Sequence, residues 1–171
     1  MEDEKIKAER LELEEVLVRQ FRLLQEMHTL SKKERDTLLN EPDLVLQIVE
    51  DKEALLDAMS VMEDNCRKIV QDLSILLELR SDETSIQALL PYFKSEDASR
   101  IRNLSEGISS LACQSRELNH ANQALALSKL EWLKATQSFL ISIFQPEPGY
   151  RAQKGKAKHL EATGLGIEFR A

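Results

Sequence analysis

Glu117 and His120 are the pair in this sequence whose spacing could serve metal chemistry. They lie three positions apart, which is the carboxylate–imidazole spacing found in di-iron helical bundles. Such a site needs a second pair of this kind and two further glutamates, all directed inward. The remaining histidines, His28 and His159, have no matching glutamate. The sequence therefore predicts no metal site, and we expect no cofactor.

Nucleophilic and phosphate-binding chemistry is also poorly supported. The two cysteines, Cys66 and Cys113, are far apart, form no CxxC motif and fall near apolar helical positions, so we expect reduced core thiols in a cytoplasmic protein. Gly164 and Gly166 lie near the C-terminus with no strand ahead of them, unlike a phosphate-binding loop. No spacing supports a cysteine–histidine or serine–histidine pair. We therefore expect a protein that is not an enzyme.

The composition is that of long amphipathic helices. Of the 171 residues, 31% are charged, 42% are hydrophobic and 5% are aromatic. The net charge of -7 argues against nucleic-acid binding, because that affinity depends on neutralising phosphates. No apolar run approaches the length of a transmembrane helix, and the charged start "MEDEKIKAER" does not resemble a signal peptide.

Apolar periodicity predicts three long helices, at about 5–37, 42–79 and 96–144, with a short helix at 84–90. The first carries a wide apolar stripe formed by Leu13, Val16, Leu17, Leu23, Leu24, Met27 and Leu30. The second has a heptad seam whose one polar member is Lys52, which we expect to extend to solvent from a bundle end. Tyr92 and Phe93 are expected to cover a bundle end, and Ser95 to cap the third long helix.

These elements predict an all-α fold, an elongated antiparallel helical bundle or coiled coil of three long helices. The bundle domain spans 1–144, and a flexible tail spans 145–171. The tail contains two of the four prolines and four of the five glycines, which favours a loose segment.

The third long helix has two unequal rows of seam positions. One row is wholly apolar, and the other turns polar in its middle at Ser115, Asn122, Lys129 and Thr136. A helix buried along its length would keep both rows apolar, so we expect its second half to pack less completely. Its apolar row, Leu118, Leu125, Trp132 and Phe139, is then available to a partner helix or, as an alternative, to a second copy of the chain. Asn122 at a seam position is expected to fix register at a cost in stability.

The order of several motifs resembles the FlgN family of flagellar export chaperones. The matching stretch is "KERDTLLNEPDLVLQIVEDKEALLDAMSVMEDNCRKIV", in which charged pairs alternate with paired leucines. The matched positions are Glu34 and Arg35, Leu38 and Leu39, Leu44 and Ile48, Lys52 and Glu53, Leu55 and Leu56, and Glu63 and Arg67. "ELNHANQALA" is similar to the family's paired asparagines after a leucine, here Leu118, Asn119 and Asn122, and Tyr150 with Gly155 is similar to its ending.

The resemblance covers residues 10 to 155 and implies a cytoplasmic export chaperone. Such a chaperone binds the C-terminal amphipathic helices of the hook-associated proteins, prevents their premature assembly and delivers them to the export gate. By this resemblance, client binding is assigned to Leu118, Asn119 and Asn122, and the apolar row of the third long helix adds Leu125, Trp132 and Phe139 as client-binding candidates. Tyr150 is assigned to docking on the cytoplasmic domain of the export gate. The alternative, from a different class, is a structural coiled-coil protein that only self-associates. The free chain is expected to be a monomer or a homodimer.

Overall fold

The computed structural model describes residues 2–80 and 84–144, and these residues confirm the all-α prediction. Helix α1 spans Glu2–Asn40, α2 spans Val45–Leu76, the short α3 spans Ile86–Leu89, and α4 spans Ser95–Phe144. Two 3-10 turns, Pro42–Leu44 and Leu90–Tyr92, precede α2 and follow α3. The tail from residue 145 onward, including Tyr150, lies outside the described residues. Within the described part of the chain, no helix has the length and apolar character that crossing a membrane requires.

The junction between α1 and α2 is set by Pro42. Residues before proline avoid the helical conformation, and Glu41 has φ -139° and ψ 66°, so α1 ends at Asn40. Pro42 begins a 3-10 turn rather than the first turn of α2, which starts three residues later at Val45. The sequence placed the start of the second helix too early because proline is equally compatible with both kinds of turn.

Helix α2 ends at Leu76, earlier than predicted, because the chain reverses at Glu78. Glu78 has φ 52°, in the left-handed region that usually takes glycine. The Leu79 N–H donates to the carbonyl of Ser74 at 2.9 Å, and the Glu78 N–H donates to that of Ile75 at 3.1 Å. These bonds satisfy carbonyls that a helix end would otherwise leave unpaired. No glycine marks the site, so the sequence did not indicate that the helix ends before 79.

The chain divides into two compact units, Met1–Trp132 and Leu133–Ala171, and each is described separately. In the first unit α1 and α4 run parallel, since α1 residues contact α4 residues 87 to 91 positions further along the chain. Helix α2 runs antiparallel to α1, because Val16 lies beside Ile69 whereas Leu30 lies beside Leu55. Successive long helices are therefore antiparallel, as predicted.

The hydrophobic core lies where α3 meets one end of this three-helix arrangement. Leu13, Leu73, Leu89 and Ile101 have no exposed surface there, one from each of the four helices. Burial of a leucine or isoleucine side chain stabilises the fold by about 1.5–3 kcal/mol. Phe93 packs against this core as predicted, whereas Tyr92 is 55% exposed and is not among the residues packed against it. The remaining buried apolar residues of this core are Val16, Leu17, Cys66, Ile69, Val70, Leu90 and Ala98.

Gly107 marks a close approach of α4 to α1. A Cβ atom added at this position would lie 3.2 Å from the Phe21 ring. The absence of a side chain at Gly107 therefore lets the aromatic ring of α1 reach the α4 backbone.

Candidate protein-binding site

The core-facing side of α4 changes from apolar to polar along its length. Ile101 has no exposed surface, and further along the same row Ser115 is 4% and Asn122 2% exposed. The wholly apolar row, by contrast, is only half-buried at Leu118 and Leu125. The polar row therefore faces the bundle, which the sequence did not predict. The hydrophobic pattern of α4 favours burial of the other row, because it contains no information about hydrogen-bond partners on α1.

Five side chains form a polar cluster between the three long helices: Ser31, Glu34, Lys52, Asn119 and Asn122. The Oδ1 atom of Asn119 accepts hydrogen bonds from Ser31 Oγ and Lys52 Nζ, both at 2.8 Å. Asn122 donates through Nδ2 to the Ser31 carbonyl and to Glu34 Oε2, both at 2.7 Å. Lys52 and Glu34 form an ion pair at 2.9 Å. Each helix contributes at least one member, so the inter-helix polar cluster joins all three.

The expectation that Lys52 extends to solvent was wrong. Its side chain is 14% exposed and that of Glu34 is 13% exposed, because both lie between helices with their charges paired. A charge that is paired and hydrogen-bonded tolerates such burial, whereas an unpaired one does not. The amide of Asn122 is similarly enclosed, and its Oδ1 atom has no hydrogen-bond partner among the described residues. In this conformation Asn119 and Asn122 therefore present their polar groups to the bundle.

Lys129 extends the polar contacts to the end of α1. Its ammonium group donates to the carbonyl of Leu38 and, at 3.1 Å, to that of Leu39. These carbonyls belong to the last turn of α1, where a positive charge is favoured by the helix dipole. Nearer the core, Ser115 Oγ lies 3.4 Å from His28 Nδ1. Polar contacts to α1 thus recur along the segment of α4 from Ser115 to Lys129.

Toward the end of the first unit, α4 exposes large apolar side chains. Leu127 is 62%, Leu130 47% and Trp132 66% exposed. A tryptophan with this much exposed surface is a strong candidate for partner contact, since aromatic side chains dominate interface energetics. Trp132 is the predicted client-binding residue of this unit that lies at the surface.

In the second unit, the described residues Leu133–Phe144 form a helix end with apolar residues on several sides. Phe139, the other predicted client-binding residue at the surface, is 63% exposed, and Phe144 is 80% exposed. Leu133, Leu140, Ile141 and Phe144 line one shallow hollow together with Thr136 and Gln137. We call Leu133, Phe139, Leu140, Ile141, Ile143 and Phe144 the terminal apolar face. Lys134 is the one charged residue within 133–144.

Most of the terminal apolar face was not predicted from the sequence. Phe139 belongs to the predicted heptad row, whereas Leu140, Ile141 and Phe144 lie outside that row. The signal was present in "FLISIF", where five of six residues are large and apolar. A strict heptad count cannot find such a segment, because its apolar residues cover a sector of the helix wider than one heptad stripe.

The Glu117–His120 pair and the two cysteines all lie in the first unit. Glu117 and His120 are both exposed, and no group of three metal-ligating residues occurs among the residues the structure describes. Cys66 is buried as expected, and its burial, with a smaller contribution from the Glu63 carboxylate, raises the pKa of its thiol. The expectation for Cys113 was wrong, because this thiol is exposed and lies 3.8 Å from Glu117 Oε1.

The family model described as FlgN protein matches residues 10–158, which is most of the chain. Searches of the curated proteins and of the solved structures found no match.

Proposed function

Since this chain belongs to the FlgN family of flagellar type III export chaperones, we propose that its clients are the hook-associated proteins of the hook–filament junction. It binds their C-terminal amphipathic helices in the cytoplasm, prevents their premature assembly and delivers them to the export gate. Binding needs no catalytic step, because covering an apolar helix face is enough to block its assembly with other subunits.

The terminal apolar face is the observation that supports this proposal most directly. Six large apolar side chains between residues 133 and 144 are each at least 47% exposed. Soluble proteins rarely leave such a contiguous surface uncovered unless it contacts a partner. An amphipathic helix buries its apolar stripe against such a face. Because the face has almost no charge, few charged groups lose their hydration when the helix binds.

Client contact is proposed to center on Trp132 in the first unit and on Phe139 in the second. Leu118 and Leu125 are half-buried and contribute less directly, while Asn119 and Asn122 keep α4 in position through the inter-helix polar cluster. The roles of these residues thus divide into contact and support.

Calorimetric titration with the C-terminal helix of a hook-associated protein tests the proposal. We expect Phe139→Ala to weaken binding by about tenfold or more while the melting temperature stays unchanged, because its side chain is exposed. Leu46→Ala is the matched control, since Leu46 is 68% exposed on α2 and lies outside the face. Equal affinities for the two variants would contradict the proposed client site.

Light scattering together with the same titration distinguishes the alternative of a self-associating structural protein. If the terminal apolar face binds only a second copy of the chain, light scattering will show that Phe139→Ala dissociates an oligomer. The hook-associated helix will then give no binding heat with either variant.

We further propose that Tyr150 docks on the cytoplasmic domain of the export gate. A tyrosine offers a ring for an apolar pocket and a hydroxyl for a hydrogen bond. The neighbouring positive charges, Arg151, Lys154, Lys156 and Lys158, favour encounter with an acidic surface.

A further inference from the structure

A groove runs between α1 and α2 within the first unit. Its floor consists of two apolar rows, each with one residue every seven positions: Val16, Leu23 and Leu30 from α1, and Ile69, Met62 and Leu55 from α2. We call this surface the α1–α2 groove. Three adjoining hollows make up the groove, and they are continuous because neighbouring hollows share Arg19, Met62 or Arg22.

Solvent reaches the floor of the α1–α2 groove in its middle. Leu23 and Met62 are half-buried there, and Val61 beside them is 56% exposed. The contacts from α4 to α1 use other residues, among them His28 and Ser31, so α4 does not account for this surface. The middle of the groove is therefore an apolar surface that the described residues of the first unit leave uncovered.

The shape of the α1–α2 groove suits a helix. Its floor extends from Val16 to Leu30, roughly 21 Å at about 1.5 Å per residue. The α2 side of the groove carries two small residues, Ala54 and Ala58, one turn apart. Small side chains let another backbone approach closely, and a fourth helix lying along two antiparallel helices completes the familiar four-helix arrangement.

The charges around the α1–α2 groove select what such a helix must carry. The middle hollow is lined by Leu23, Ala58, Val61 and Met62 with the guanidinium groups of Arg19 and Arg22, and with no carboxylate. Arg19 pairs with Glu15, whereas Arg22 has no ion-pair partner among the residues that the structure describes. The two end hollows are acidic. The hollow around Val16 is lined by Glu9, Glu12, Glu15 and Asp72 beside Arg19 and Lys68, and the hollow around Leu30 by Glu26 and Asp51 beside Arg22. A complementary helix places a carboxylate opposite the middle of the groove and basic residues opposite its two ends.

We propose that the α1–α2 groove docks an amphipathic helix of a partner protein that carries a carboxylate in its central turn. Heptad-spaced apolar residues of that helix pack on the two rows of the floor, and its carboxylate pairs with Arg22. This site is separate from the terminal apolar face, which lies in the second unit. The chain would then have two helix-binding surfaces of different chemistry, one nearly uncharged and one cationic at its middle.

A pair of synthetic peptides tests the proposal. Each has about 18 residues with leucines at heptad positions, enough to span the floor, and the two differ in a central glutamate or lysine. Fluorescence anisotropy should show that the glutamate peptide binds the full chain about fivefold more tightly, the range of one solvent-exposed ion pair. Arg22→Glu should reverse this preference, because the attraction then favours the lysine peptide. Ala58→Arg should weaken both peptides by filling the groove.

Matched controls separate the groove from general surface charge. Arg102→Glu changes the net charge equally, and its side chain is exposed on α4, so the peptide preference should persist. Leu46→Ala, exposed on α2 and outside both surfaces, should leave peptide binding unchanged. The response of the peptide preference to Arg22→Glu keeps a failed client experiment distinct from a failed groove experiment. Two outcomes overturn the proposal: equal binding of the two peptides to the wild-type chain, or light scattering showing a dimer that Ala58→Arg dissociates. The second outcome would mean that another copy occupies the groove.

Discussion

Asn122 on α4 donates a hydrogen bond of 2.7 Å to the backbone carbonyl of Ser31 on α1. Ser31 has no exposed surface and Asn122 is 2% exposed, so this bond joins two helices inside the first unit. The sequence suggested that Asn122 costs stability, as an unsatisfied polar seam residue does. A seam asparagine that donates to a fixed acceptor stabilises the fold instead.

Asn122→Leu should lower the free energy of unfolding by about 1–3 kcal/mol, because the Ser31 carbonyl and the Glu34 carboxylate each lose a donor. Urea denaturation followed by circular dichroism measures the change. Asn103→Leu is the matched control, since Asn103 is exposed on the same helix and should change stability by less than about 0.5 kcal/mol. A more stable Asn122→Leu protein would show that the unpaired Oδ1 atom outweighs the two bonds.

Lys52 and Glu34 should be energetically coupled. Lys52→Met leaves the Glu34 carboxylate partly buried beside an apolar side chain, so each single variant should have a lower free energy of unfolding. The double variant, Lys52→Met with Glu34→Gln, should lose less free energy of unfolding than the sum of the two single losses. A double-mutant cycle should give a coupling of about 1 kcal/mol or more. The exposed pair Arg67 and Glu63, each 68% exposed, should give less than about 0.5 kcal/mol in the same cycle. Additive effects at Lys52 and Glu34 would contradict a stabilising pair.

Leu125 and Trp132 belong to one sequence row but should behave differently. Leu125 is half-buried, so Leu125→Ala should lower the free energy of unfolding by about 1–3 kcal/mol. Trp132 is 66% exposed, so Trp132→Ala should leave stability within about 0.5 kcal/mol and weaken client binding instead. Thermal melts and calorimetric titration on both variants check this division. Destabilisation by Trp132→Ala without loss of client affinity would show that this side chain contributes to folding and not to client binding.

The two thiols should react at different rates. Because its pKa is raised, the Cys66 thiol holds less thiolate than an ordinary cysteine at pH 8, and it is also buried. Cys113 is exposed, so a thiol reagent should modify it first, and Cys66 should react only as urea unfolds the chain. Quantified labelling of Cys66→Ser and Cys113→Ser assigns the two phases. Equal rates in the native protein would mean that the α2 segment around Cys66 opens readily.

Tyr150→Ala should reduce binding to the export-gate domain and export of the client while leaving melting temperature and client affinity unchanged. The reason is the proposed role of its ring and hydroxyl in docking. Tyr92→Ala is the matched control, because Tyr92 is 55% exposed and belongs to the first unit. Normal export by the Tyr150→Ala protein would end the docking proposal.

Sequence periodicity was enough to predict the helices and part of the core of α1 and α2. Leu23 and Leu30 of the predicted α1 stripe are only half-buried, and Val70 and Ser74 of α2 are buried outside the predicted seam. Leu13, Leu17 and Ile48 are fully enclosed where the heptads place them. It could not decide which row of α4 faces the bundle, because Asn122 and Ser115 are buried only by virtue of acceptors or neighbours 87 to 91 positions away. The exposed thiol of Cys113 escaped prediction for a related reason, since a helical position near an apolar row says nothing about how far the neighbouring helix extends.

The inter-helix polar cluster removes an ambiguity that repeated leucines leave in α4. A heptad of apolar contacts looks much the same after α4 slides along α1 by seven residues, about 10 Å. The same slide would bring Ser115 to the place of Asn122, and its single short hydroxyl cannot reach both the Ser31 carbonyl and the Glu34 carboxylate. One axial position of α4 is therefore distinguished from its near-equivalents. The height at which Trp132 is displayed along the bundle is set by an amide rather than by the leucines around it.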